Sequence, residues 1–237
     1  MTETMAVRVA EVLDRLKAMA NPEQLAQEAR LGIKTDGGLG ISVWDLRKLA
    51  KEIGKDQPLA EALWVTEIRE ARLLAGYVAD PEQISEKVIE EWVADFDSWD
   101  IVDQVSDVFL FSPFAYAKAF EWSTRPEEFV KRTAFVLVAG LAFYDKEASD
   151  EKRMQFFPII LREARDERNF VKKAVNWALR NIGKRNLALN AKAIEVAEEM
   201  AEIDSKAARW NAKDALRELR SEKVQERLRK KKEKEYH

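Results

Sequence analysis

The sequence predicts an all-α chain, an α-solenoid of stacked antiparallel helix pairs. Three observations carry that expectation. Apolar residues recur at the helical period along the chain, and no convincing period-2 strand interrupts them. Prolines fall where first turns of helices are expected, at Pro58, Pro81, Pro113, Pro126 and Pro158. Similar amphipathic segments also return along the chain. "IREARLLAGYV" (68–78), "FVKRTAFVLVAG" (129–140), "FVKKAVNWALRNIG" (170–183) and "AARWNAKDALREL" (207–219) each place a basic residue before a small or apolar run. Arg132 and Lys173 stand 41 apart, and Lys173 and Arg209 stand 36 apart. Helix pairs at such intervals predict a HEAT-like repeat, whose second helices line a concave face.

Helices are expected near 4–20, 22–30, 42–53, 57–66, 68–78, 81–94, 98–111, 113–123, 126–140, 150–166, 168–182, 187–201, 204–219 and 221–232. Ser42 followed by Asp45 caps "VWDLRKLAKEI", which Gly54 closes. Thr124 followed by Glu127 reads as a capping box around Pro126. "LGIKTDGGLGIS" (31–42) is glycine-rich, but no Gly-Lys-Ser/Thr follows and no strand precedes it, so it reads as a connecting turn. One repeat domain over 1–237 is expected, with a basic helix or tail over 221–237.

Composition narrows the chemistry. The chain is 46% hydrophobic and 35% charged, as folded, soluble proteins are. It has no cysteine, which excludes disulfides, a thiolate nucleophile and Cys-ligated zinc. Its one histidine is His237. Histidine general-base chemistry and histidine metal sites are therefore not expected, nor is any cofactor. The absence of a signal-peptide core and of a run of about 18 apolar residues predicts a cytoplasmic protein that does not engage a membrane. The net charge is −3, yet the charge is polarised. Residues 151–237 carry 23 Lys and Arg against 15 Asp and Glu, a net of +8, whereas residues 1–150 carry 17 against 28, a net of −11. A chain so divided can attract a polyanion at its basic end.

Two stretches carry candidate chemistry. In "FVKKAVNWALRNIGKRN" (170–186), Val171, Ala174, Val175, Ala178 and Ile182 form one apolar stripe. Lys173, Trp177, Arg180 and Lys184 form a second. Trp177 lies roughly 120° from the centre of the apolar stripe, among the cations. Gly183 is placed to end this helix. Trp177 is either a boundary residue covering the core edge or an aromatic platform on a cationic surface, a combination suited to nucleic acid. In "FDSWDIVDQVSDVFL" (96–110), Ile101, Val105 and Val108 point to the core. Trp99 and Asp103 lie one turn apart on the other side, with Asp107 a turn further. Trp99 could pack on an adjacent repeat and Asp103 pair with an arginine; otherwise the two present an aromatic face beside a carboxylate.

These segments, in this order, resemble the AlkD-type DNA alkylation repair glycosylases, a HEAT-like family. The resemblance runs from "LGIKTDGGLGISVWDLRKLAKEIG" through "FDSWDIVD" and "FVKRTAF" to "FVKKAVNWALRNIGKRN" and "ARWNAKDALREL". It implies a lesion site built from an aromatic and an acid on one helix, an arginine on the next repeat and a second aromatic on the one after. Trp99, Asp103 and Trp177 are then the catalytic candidates. Arg132, with Lys131 and Lys173, would hold flanking phosphates, and Arg180 and Lys184 would extend that surface. The implied activity is release of cationic N3- or N7-alkylated purines from duplex DNA by a monomer, in a shallow site that need not fully extrude the base. The alternative is a non-catalytic HEAT-like module that binds DNA structures through a basic groove. A protein-binding solenoid is the third reading.

Overall fold

The computed structural model describes residues 2–235, and for Glu235 the backbone only. Tyr236 and His237, the last two residues of the expected basic tail, lie outside the described residues. Within them there are fifteen helices and no strand. The chain divides into two compact units, residues 1–114 and 115–237.

Unit one holds α1 (Glu3–Ala18), α2 (Pro22–Arg30), α3 (Val43–Ile53), α4 (Gln57–Trp64), α5 (Arg69–Val78), α6 (Glu86–Ala94) and α7 (Trp99–Leu110). Helix α5 is central: α3, α4 and α7 all pack on it. Its glycine is the reason α7 comes so near. A Cβ at Gly76 would stand 3.0 Å from a methyl of Val105. An aromatic stack fills the α4–α6 side, with Trp64 parallel to Trp92 at 4.3 Å between centroids. The glycine-rich stretch is the connecting turn expected. Gly40 has φ +69° and presses against α2, where a Cβ would lie 2.2 Å from the Asn21 carbonyl oxygen.

Unit two holds α8 (Ala115–Trp122), α9 (Glu128–Tyr144), α10 (Asp150–Met154), α11 (Phe157–Glu163), α12 (Asn169–Gly183), α13 (Leu187–Ala201), α14 (Lys206–Leu219) and α15 (Glu222–Glu235). Residues 130–139 of α9 are all buried, so this helix is covered around its circumference and forms the unit's axis. Helices α8 and α12 pack on it, and α13 and α14 pack on α12.

Most expected helices form within a few residues of their predicted bounds. Ser42 accepts from the Asp45 N–H and α3 ends at Gly54. Three local expectations fail for identifiable reasons. Pro81 heads a turn held by Asp80, and the helix starts instead under Ser85, whose hydroxyl accepts from the Val88 N–H. The Thr124–Glu127 capping box does not form, because Glu127 is drawn to Arg125 by two hydrogen bonds. The single helix expected over 150–166 breaks into α10 and α11. Pro158 has no N–H to offer the Met154 carbonyl four residues back. Gly183 ends α12, as expected. It is glycine because a Cβ would stand 2.7 Å from Leu219 and 2.8 Å from Ala193, where α12, α13 and α14 converge.

Candidate nucleic-acid interface

In unit two, α12 buries Val171, Ala174, Val175, Ala178 and Ile182, the stripe read from the sequence. Trp177 keeps 38% of its surface exposed, so it is not a core indole. Lys173 is exposed and makes no ion pair among the described residues. Arg180 and Lys184 are half-buried and share Glu218 of α14, Lys184 at 2.8 Å, while Arg180 also lies 3.8 Å from Asp214. Burial opposes ionisation of Glu218, yet hydrogen bonds from Lys184 and Arg180 hold its carboxyl below the ordinary glutamate range. These two cations are therefore partly neutralised within the protein.

Helix α14 repeats the pattern of α12 at an offset of 33 residues, from Trp177 to Trp210. Lys173, Trp177, Arg180 and Lys184 correspond to Lys206, Trp210, Lys213 and Arg217. The buried positions keep the same register, from Ala174 and Ala207 through Ile182 and Ala215. Trp210 is 41% exposed and the Lys172 ammonium sits 5.0 Å from its ring centroid. Sequence reasoning missed Trp210, Lys206, Lys213 and Arg217. The signal was present, but matching Lys173 to Arg209 set the repeat at 36 and put the two tryptophans out of phase.

Two expected phosphate contacts turn inward. Lys131 is buried, bonded to Glu163 and 3.6 Å from Asp166. Its ammonium is committed to two carboxylates inside unit two, which corrects the expectation that it faces phosphate. The cause is α9 itself, whose whole circumference is covered by its neighbours. Arg132 is only 7% exposed. It donates to the Phe170 carbonyl at 2.9 Å, with its guanidinium 6.0 Å over the Phe170 ring, and so ties α9 to the start of α12.

In unit one, α7 buries Ile101, Val105 and Val108, as the sequence implies. Trp99 and Asp103 are both half-buried one turn apart, and Asp103 is engaged by neighbouring groups. The positions around them are strongly fixed. Asp100 receives two bonds from Arg69, at 2.5 and 3.0 Å, and a third from the Ser98 hydroxyl at 2.6 Å. Gln104 accepts from the Tyr77 hydroxyl at 2.6 Å and from Arg47 at 3.1 Å. Desolvation pushes the Asp107 carboxyl above its ordinary value, against the pull of Arg47 and Lys55. Arg69 is the buried hub, with Glu28 and Glu70 each at 3.1 Å. This repeat's cation thus serves the core. No cluster of three or more potential metal ligands occurs among the described residues, and none of their helices is long and apolar enough to cross a membrane.

A family model described as DNA alkylation repair enzyme matches residues 12–219. The chain belongs to that family. Among solved structures, it is similar to a protein described as one of a new family related to the HEAT-like repeat DNA glycosylases, with affinity for branched DNA structures. The identity is 22%, 88% of this chain and 94% of that one are covered, and the TM-score is 0.73. At that identity the likeness establishes the HEAT-like fold. A designed armadillo repeat protein matches more weakly, at 18% identity over 73% of this chain and 91% of the other, with a TM-score of 0.36. No curated protein matches the chain.

Proposed function

We propose that the protein binds DNA and hydrolyses the N-glycosidic bond of cationic N3- or N7-alkylated purines. The observation that carries this reading is the pairing on α7 of Trp99 and Asp103, both half-buried and one turn apart, in a chain of the DNA alkylation repair family. An alkylated purine carries a formal positive charge and is already a good leaving group, so no strong general acid is required. An indole face attracts such a cation by about 1–2 kcal/mol when desolvated. As the bond breaks, positive charge moves to the sugar. Asp103 stabilises that oxocarbenium and positions the attacking water. Lys173 of α12, with Lys206 and Lys213 of α14, holds phosphates, and Arg180 and Lys184 add what Glu218 leaves them. Trp177 supplies an aromatic face among these cations.

A second reading is a DNA-structure binder without catalysis. The exposed Trp177 and Trp210 favour it, since both suit unpaired bases, and so does the structural relative described as binding branched DNA. Asp103 beside Trp99 favours the glycosylase, because a carboxylate next to an aromatic face suits a developing oxocarbenium. The test is single-turnover release of free base from methylated duplex DNA. Release by the wild-type protein supports the glycosylase, and tight binding without release leaves the binder.

A further inference from the structure

Helix α15 is basic enough to pass for a solvated tail, yet it is docked. Val224 and Leu228 are buried against unit two. The Gln225 side-chain amide donates to the Leu219 carbonyl at 2.7 Å and to Asn190 Oδ1 at 2.9 Å. Arg227 donates to the Lys184 carbonyl at 3.3 Å and Lys231 to the Arg185 carbonyl at 2.9 Å. These bonds satisfy carbonyls just past the end of α12, where cations are favoured.

On one stripe of α15, docking explains Arg227 alone. At 100° per residue, Lys223, Arg227, Lys230 and Lys234 fall within about 60° of one another. The docked face lies to one side of them and Glu222, Glu226 and Glu233 to the other. The stripe borders an open cleft of about 510 Å³, whose lining also includes Lys184 and Lys231 and a single acid, Glu226. Lys223, Lys230 and Lys234 are exposed and make no ion pair among the described residues. Like charges at i, i+4 and i, i+3 weaken a helix, so the arrangement costs stability until an anion fills it. Cationic crowding extends beneath the cleft. Burial, with Arg153 and Arg227 close by, pushes the Arg185 guanidinium below its ordinary value.

We infer that this stripe is a second phosphate-binding surface, which takes the sugar–phosphate backbone of a DNA arm. The inference rests on the DNA-binding part of the proposed function and not on the glycosylase chemistry. From Lys223 to Lys234 the helix rises about 16 Å. Each strand of a duplex carries one phosphate per about 3.4 Å of axis, so a duplex arm lying along the stripe brings several phosphates within reach of the three exposed lysines. The surface reads no bases, since lysine ammonium groups are point charges rather than base-edge forks.

The test compares the wild-type protein with the triple variant Lys223→Gln, Lys230→Gln, Lys234→Gln. Binding to plain duplex and to a four-way DNA junction is titrated across salt concentrations, and helix content is followed by circular dichroism. Each cation that neutralises a phosphate contributes about 0.9 to the slope of log affinity against log salt. The triple variant should be shallower by about 2–3, and the matching Lys→Arg triple should keep the wild-type slope. If the Gln triple loses helix, the three single variants are read instead, each shallower by about 0.9. An unchanged slope with intact helix overturns the inference, as does a wild-type protein that binds anionic phospholipid vesicles but not DNA. Base release at saturating enzyme should be equal in the triple variant and the wild type. An unchanged slope beside normal release would thus sink only this surface, and a normal slope change beside no release would sink only the glycosylase.

Discussion

The Lys172 ammonium lies 5.0 Å from the centre of the Trp210 ring, linking α12 to α14 across one face of unit two. The contact steadies an indole that still leaves 41% of its surface to solvent. A held, exposed aromatic among cations is a stacking platform. Trp210→Ala should weaken binding of DNA with unpaired bases by about 1–3 kcal/mol, the scale of one lost base–aromatic stack. Blunt duplex, which offers no free base faces, should lose much less. The check is a pair of binding titrations on gapped and fully paired DNA. Equal losses on both would make Trp210 a packing residue.

Lys131 is expected to matter for stability rather than for DNA. Lys131→Ala removes the ammonium that Glu163 and Asp166 share in a nearly dry site. Arg162 and Arg168 stay close to the two carboxylates and soften the loss. The expected cost is about 2–3 kcal/mol, at the low end for breaking a buried pair. Denaturant unfolding measures it. The salt dependence of DNA binding should match the wild type within error, whereas a phosphate-facing lysine would lower the slope.

The contrast between Lys131 and Lys173 marks how far the sequence is legible. Periodicity located both helices, and it put Lys173 and Trp177 outside because α12 is covered on only one side. Helix α9 carries the same local signature of a basic residue before an apolar run, but its neighbours cover it all round. Its run from Ala134 to Phe143, apolar on every side, announces that coverage, but not which acids receive the basic residue before it. The acids that receive Lys131 lie more than thirty residues away. Arg69 and Arg132 follow the same logic. The break at Pro158 was legible in principle, since a missing N–H is a local fact. Trp210 was hidden by alignment rather than physics, because the repeat is held by buried apolar positions that match at 33 and not by the basic residue that precedes them.

Arg69 should be the most sensitive position in unit one. Arg69→Met leaves Glu28, Glu70 and Asp100 buried together without their cation. The loss is expected at about 3–5 kcal/mol at neutral pH. Denaturant unfolding of the variant beside the wild type measures it. A loss within error of zero would show that the cation contributes little to the fold.

Acid should loosen the α12–α14 contact through Glu218. Its folded pKa is depressed below the ordinary 4.5, because hydrogen bonds from Lys184 and Arg180 outweigh burial. A depressed carboxyl contributes stability that is complete above its unfolded pKa and is lost as pH falls through the folded one. Glu218→Gln should thus be less stable than wild type at pH 7, with the gap closing below about pH 4.5. Unfolding curves between pH 7 and 3 measure this. A gap that widens in acid would reverse the assignment.

Asp103→Asn separates chemistry from binding. The change keeps the size of the side chain and much of its hydrogen bonding, and removes its charge. If the carboxylate stabilises an oxocarbenium, its benefit exists mainly in the transition state. Single-turnover release of an N7-alkylguanine should then fall by roughly 10²–10³, the scale of one preorganised electrostatic contact. Affinity for undamaged duplex should hold or rise slightly, since a phosphate-repelling charge has gone. Lys173→Gln is the matching control, because that lysine is exposed and makes no ion pair among the described residues. It should lower the salt slope by about 0.9 and leave release at saturating enzyme unchanged. Arg132→Ala cannot serve that purpose, because its guanidinium holds α9 to the Phe170 carbonyl and its loss would be felt first as instability. Wild-type release by Asp103→Asn would remove the carboxylate from the mechanism. Absence of release by the wild type would instead assign the exposed Trp177 and its cations to a protein that grips DNA without cutting the glycosidic bond.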